Sequence, residues 1–232
     1  MTPASPRIVG VVFSLADLRR ATEIRNPPDL FELRLDGLVR SLDAVKRQIQ
    51  RLRAPIIITA RHPQEGGAHD LSTDERRALL LEFLEHAAHV DIEMRSLRFF
   101  SSVLLAAAAS GIPTIVSFHD LYDTPTPARL KQLVVAARAA GADIVKIATR
   151  THTQAQLKRL VAFVDGCDRR ARVAAMGIGK LGRVSRVEFA RRGSALHYAH
   201  LGTPRAPGQL SVAEARRLVR GHGVARAKRT SS

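Results

Sequence analysis

Short runs rich in β-branched and other apolar residues recur along the chain at 8–14, 30–37, 55–63, 89–95, 113–120, 142–150, 172–179 and 195–202. Their starts lie 22 to 34 residues apart. Amphipathic stretches fall between them, among them 41–53, 73–88, 126–140 and 151–164. Several open on Ser or Thr, whose side-chain oxygen accepts from the free N–H groups of a first helical turn. Eight strand–helix units in 232 residues predict the α/β class and a single (β/α)8 barrel domain over residues 1–220. An open doubly wound sheet is the competing architecture, and it loses ground because no strand leads into a G-x-G-x-x-G turn. Residues 221–232 mix Gly, Ala, Arg and Lys with almost no apolar period and are expected to form a basic, disordered tail.

Alternate side chains of a strand point to opposite faces, and that sorts the polar residues. In Phe31-Glu32-Leu33-Arg34-Leu35-Asp36 the charges share one face and the apolar residues the other. Thr59 pairs in this way with Arg61, Asp91 with Glu93, Ser117 with His119, and Lys146 with Ile144 and Ala148. In a closed barrel these faces turn inward. Charges there are costly unless paired, and at the C-terminal strand ends they line the mouth where such barrels hold their sites.

Lys146 is the most informative of the set. Only six of the 37 basic residues are lysine, and this one alone lies in an apolar strand. Arginine holds its proton too firmly to act as a nucleophile, whereas a desolvated lysine can attack a carbonyl and form an imine. An imine is an electron sink that acidifies the adjacent carbon. His119, with an intrinsic pKa of about 6.5, could take that proton and return one to a leaving hydroxyl. Glu93 would orient and balance the imidazole. Arg61 and Arg186 are planar forks for a carboxylate, or else internal partners of Glu32 or Glu93.

Composition narrows the partners. The formal charge is +16, which suits nucleic acid, an acidic membrane or a small anion. Seven Arg and Lys against the single acid Glu214 follow from Arg205 onward, so much of the excess sits in the last helix and tail rather than in a reading element. Aromatic residues make up 4%, too few for single-strand stacking platforms, and nucleic acid is not the expected partner. One cysteine, Cys167, excludes an internal disulfide and a cysteine-based metal cluster. No apolar run reaches membrane-spanning length, and the opening Met1 to Pro6 has no basic and hydrophobic leader pattern, so a cytoplasmic protein is expected.

The ordered set of motifs resembles the type I 3-dehydroquinate dehydratases of the shikimate pathway, from Glu32 to Val212. It comprises Glu32-Leu33-Arg34-Leu35-Asp36, Thr59-Ala60-Arg61 with Glu65-Gly66-Gly67, and Val90-Asp91-Ile92-Glu93. Ser117-Phe118-His119-Asp120, Thr124-Pro125, the Lys146 strand, Met176-Gly177, Ser185-Arg186 and Ala206-Pro207-Gly208-Gln209 complete it. The resemblance implies a barrel without metal or organic cofactor that converts 3-dehydroquinate to 3-dehydroshikimate, often as a homodimer. By it, Lys146 forms the imine, His119 is the acid and base of a syn elimination, and Glu93 partners that histidine. Arg186 and Gln209 hold the substrate carboxylate and hydroxyls, Glu32, Arg34 and Arg61 complete the pocket, and the Ala-Pro-Gly-Gln loop is a lid.

Two features depart from the family pattern. Arg205 stands where a serine usually precedes Ala-Pro-Gly-Gln, replacing a hydroxyl by a long cation that is a further candidate for the substrate carboxylate. The chain between Met176 and Arg186 is two residues longer than usual, through Gly179-Lys180-Leu181-Gly182-Arg183. Two other readings accommodate the inward charges. A class I aldolase shares the barrel lysine but does not by itself require the arginine clamp or the lid; a catalytically lapsed barrel would bind anionic partners through its basic surface.

Overall fold

The computed structural model describes residues 6–227. Eight strands form one sheet: β1 (Arg7–Val12), β2 (Leu30–Arg34), β3 (Ile56–Thr59), β4 (His89–Glu93), β5 (Thr114–Asp120), β6 (Ile144–Arg150), β7 (Val173–Ile178) and β8 (Leu196–His200). Their order is β7-β6-β5-β4-β3-β2-β1-β8, and every pairing is parallel. β7 and β8 meet at the seam. There the Ala195 N–H donates to the Val173 carbonyl at 2.9 Å. The Ser194 hydroxyl accepts from the Ala175 N–H at 3.2 Å and donates to the Leu196 carbonyl at 3.1 Å, so one side chain supplies the bonds that a regular ladder lacks. The result is a (β/α)8 barrel.

The helices are α1 (Leu15–Glu23), α2 (Leu35–Leu38), α3 (Leu42–Gln48), α4 (Thr73–Glu82), α5 (Ser101–Ala109), α6 (Pro127–Ala139), α7 (Gln154–Asp165), α8 (Gly182–Arg192) and α9 (Val212–Ala227). Ser14, Ser72 and Thr153 close reciprocal capping boxes with Asp17, Glu75 and Gln156, satisfying two free N–H groups each. Thr126 caps α6 just ahead of Pro127, whose missing N–H costs nothing at that position. Outward strand residues such as Phe31, Leu33, Ile58, Val90 and Ile92 are buried against the helices. Inward residues Val9, Leu30, Ile57, Ile115, Ile144, Ala174 and Leu196 form a separate apolar plug inside the barrel. That plug is the floor on which the polar mouth is built.

Two boundaries differ from expectation. Some strands stop earlier than the apolar runs: the run at 55–63 is strand only to Thr59, and the run at 30–37 only to Arg34. Beyond those points the chain bends over the mouth, with Gly37 passing so close to β1 that a Cβ there would lie 2.6 Å from the Phe13 carbonyl. The last helix also runs past residue 221, the expected start of the tail, to Ala227. An established helix propagates across Gly221 and Gly223 because each further residue adds a hydrogen bond without a new nucleus. Residues 228–232 of the expected tail lie outside the described residues.

Candidate active site

Alternate strands of such a barrel contribute side chains to one layer. Here β2, β4, β6 and β8 supply Glu32, Asp91, Lys146 and Tyr198. The Lys146 ammonium nitrogen lies 3.0 Å from Glu32 Oε1, 2.9 Å from Asp91 Oδ2 and 3.9 Å above the centre of the Tyr198 ring. Lys146 is 2% exposed, so these contacts replace most of its hydration. Thr59 donates to the same Glu32 oxygen at 3.1 Å. Burial acts to raise the Asp91 carboxyl, but the charges of Lys146 and Arg61 outweigh it and hold the group below its ordinary range.

His119, on β5, stands two residues beyond Ser117, the register partner of the lysine, and its two ring nitrogens have different partners. Arg61 Nη1 lies 2.6 Å from Nε2. A guanidinium can only donate, so Nε2 carries the lone pair and Nδ1 the proton. Nδ1 then donates to Glu65 Oε2 at 2.9 Å, an oxygen that also accepts the His119 backbone N–H at 3.0 Å. Burial and the charges of Arg61, Lys146 and Arg34 push the imidazole well below its usual 6.5, so it is a neutral base at physiological pH. Glu65 moves the other way, raised to about 7 by burial and by Glu93.

The imidazole partner is therefore Glu65 and not the expected Glu93. Glu93 Oε1 accepts from the His62 N–H at 2.8 Å and lies 3.4 Å from Arg61 Nε, while its Oε2 accepts from Arg76 at 3.0 Å and Ser96 at 3.1 Å. At the end of β4 its neighbours are the end of β3 and the fully buried Arg76 of α4, and they exhaust its lone pairs. Glu65 comes instead from the 3-10 turn Pro63–Glu65, where Gly66 at φ 83° reverses the chain and aims the carboxylate at β5. It was visible in the sequence only as part of the Glu-Gly-Gly landmark.

Arg34 clasps Asp36 with two bonds of 2.9 and 2.7 Å. Asp36 in turn accepts the N–H groups of Arg61 at 3.2 Å and Ala68 at 2.8 Å, so one carboxylate ties the loops after β2 and β3 together. Arg186 is different. Its Nη1 donates to the Tyr198 carbonyl at 3.1 Å, its Nε has no partner, and among the described residues no carboxylate forms an ion pair with it. Burial alone lowers it to about 10, and it stays a cation at neutral pH. The chain turns at Gly179, at φ 123°, into α8, and from that helix Arg186 reaches the mouth. Arg205 turns away from the centre to Asp17, 2.9 Å away, and Gln209 Oε1 accepts the Arg205 backbone N–H at 2.7 Å.

All of the expected site residues except Glu93 line one cavity of about 280 Å³, together with Glu65, Met176 and Tyr198. Sequence reasoning missed Glu65 and Tyr198 as site residues; Tyr198 shares the inward parity of Leu196, which could have marked it. Among the described residues no group of three or more His, Cys, Asp or Glu side chains is placed to hold a metal ion, and no helix is long and apolar enough to cross a membrane.

A polar mouth of this kind on a parallel barrel defines a (β/α)8-barrel enzyme with its site at the C-terminal strand ends. The sequence profile of the type I 3-dehydroquinases matches residues 13–224, and the chain belongs to that family. Among curated proteins it is 33% identical to the 3-dehydroquinate dehydratase of Methanothermobacter thermautotrophicus, over 82% of this chain and 84% of that protein. It is 31% identical to that of Thermococcus onnurineus, over 91% and 96%. Among solved structures, the 3-dehydroquinate dehydratase of Geobacillus kaustophilus superposes with a TM-score of 0.83 at 26% identity, covering 94% of this chain and 91% of that one.

Proposed function

We propose that this chain removes water from 3-dehydroquinate to give 3-dehydroshikimate, a step of the shikimate pathway, through an imine on Lys146. The observation that carries the reading is a buried amine and a neutral imidazole lining the same cavity as an arginine that has no anionic partner among the described residues. Arg186 takes the substrate carboxylate, exchanging an unpaired guanidinium for a charge-assisted pair. The Lys146 ammonium passes a proton to the adjoining Glu32 or Asp91 carboxylate, the free amine attacks the ketone, and return of that proton to the carbinolamine hydroxyl expels it as water and leaves the iminium. Arg61, drawn towards the anionic substrate, uncovers Nε2 of His119.

Nε2 then removes a proton from the carbon beside the iminium. The electron pair moves into an enamine and expels the β-hydroxyl, which leaves as water with the proton that His119 gained. Glu65 holds the opposite side of the ring, so the imidazole keeps its orientation through both transfers. Hydrolysis of the conjugated iminium restores Lys146 and releases product. A homodimer belongs to the same reading, and sedimentation of the intact chain tests it.

Turnover is followed by the enone absorbance of the product. Lys146→Ala is expected to abolish it. His119→Ala is expected to form the imine, trapped by borohydride, yet to stall before or after elimination. Normal turnover in either variant would remove that residue from the mechanism.

A further inference from the structure

We propose that Asp17 is a positioning residue for the loop that covers the cavity, acting through Arg205. The proposal deepens the dehydratase reading and rests on it for its kinetic arm. The loop 203–209 joins β8 to α9 and is anchored on two sides. On one side the Gly179 N–H donates to the Pro207 carbonyl at 3.2 Å. Gly208, at φ 85°, lies so close to the β7–α8 turn that a Cβ would be 2.5 Å from the Arg183 nitrogen. This contact is between backbones.

The other anchor is ionic. Arg205 Nη2 donates to Asp17 Oδ2 at 2.9 Å and lies 3.3 Å from Ser14 Oγ, and its guanidinium stacks 4.5 Å from the centre of the Phe13 ring. Asp17 is 2% exposed and is held rigidly, because the same oxygen accepts from the Ser14 N–H at 3.1 Å and the Ser14 hydroxyl at 2.7 Å. Capping α1 does not require a cation, and the nearer Arg20 makes only a 3.9 Å contact. The cation that approaches closely comes from 188 residues away.

The strap reaches the cavity by two routes. The Arg205 N–H is held by Gln209 Oε1, so a displaced Arg205 releases a side chain that lines the cavity. Phe13, stacked on one side by Arg205, is also 5.2 Å from the guanidinium of Arg34 in the cavity wall. Since the Arg205 side chain is 31% exposed, water screens the pair. Pairs of this kind shift an equilibrium by about two- to fivefold, enough to favour the closed loop without locking it.

Amide exchange of 203–209 in the intact chain, measured together with KM and kcat for 3-dehydroquinate, tests the strap. Asp17→Asn keeps an oxygen for the Ser14 N–H while removing the charge, and Arg205→Ser removes the cation. Each is expected to speed exchange of the loop by about two- to fivefold and to raise KM by a similar factor, with kcat changing less than twofold. The double variant should be no worse than either single, because both break one contact. Loop exchange at the wild-type rate in either single variant would overturn the proposal, as would single effects that multiply in the double, or a rise spread over the whole barrel. A wild-type protein that leaves 3-dehydroquinate unchanged would remove the dehydratase reading, while the exchange rates would still decide the strap.

Discussion

Burial acts in opposite directions on the two members of the Glu65–His119 pair, raising the carboxyl from 4.5 to about 7 and holding the imidazole well below 6.5. Between 4.5 and about 7 the unfolded chain has ionised Glu65 while the folded chain keeps the proton. Its contribution to stability is thus full below 4.5 and is lost as pH rises through about 7. His119 runs the other way, its contribution present above 6.5 and lost as pH falls through its depressed folded value. Glu65→Gln should remove the first dependence and keep the second. Denaturant melts at pH 5 and pH 8 should show the wild type losing on the order of 2 to 3 kcal/mol relative to the variant as pH rises. Equal differences at both pH values would mean that Glu65 titrates normally. Lys146→Ala would leave the buried Glu32 and Asp91 carboxylates only the more distant Arg61, at 3.8 and 3.5 Å, and it is expected to cost about 3 kcal/mol in the same assay. At this scale Lys146, His119 and Arg186 were legible from residue type and strand parity. The Glu65 contact was not, because it depends on a left-handed glycine turn that no strand alternation encodes.

At the scale of elements, all eight strands coincide with the apolar runs, since inward and outward faces must both be buried in a barrel. Strand ends were less legible. Apolar and turn residues mix at 59–67, and only tertiary contacts, chiefly the four bonds that Asp36 accepts from Arg34, Arg61 and Ala68, decide where β3 gives way to the loop. The β7–β8 seam was equally hidden, since a single serine hydroxyl completes it. Ser194→Ala should leave the Ala175 N–H and Leu196 carbonyl unsatisfied and lower unfolding free energy by about 1–3 kcal/mol. A urea midpoint equal to wild type would show that the seam closes without it. Gly208→Ala would strain a φ of 85° and force the loop off Arg183, so kcat/KM is expected to fall while borohydride trapping on Lys146 persists.

Across the whole molecule, one continuous sheet around an apolar plug places charges from different strands and loops over a single floor. This explains why the order of polar residues along the chain could be read as a site before any distance was known. Net charge carried less information. The excess of +16 is spread over many exposed arginines, whereas the cavity balances its cations with Glu32, Asp36, Asp91 and Glu65. Arg186 is the exception, with burial as the sole cause of its shift. The central claim is that the Lys146 nitrogen becomes covalently bonded to the substrate carbonyl carbon. Borohydride reduction of the intact protein during turnover of 3-dehydroquinate, followed by peptide mass mapping, tests it directly. A single adduct on the peptide containing Lys146, with loss of activity in proportion to its formation, is the predicted result. Continued turnover without any adduct, or an adduct on a different lysine, would contradict it.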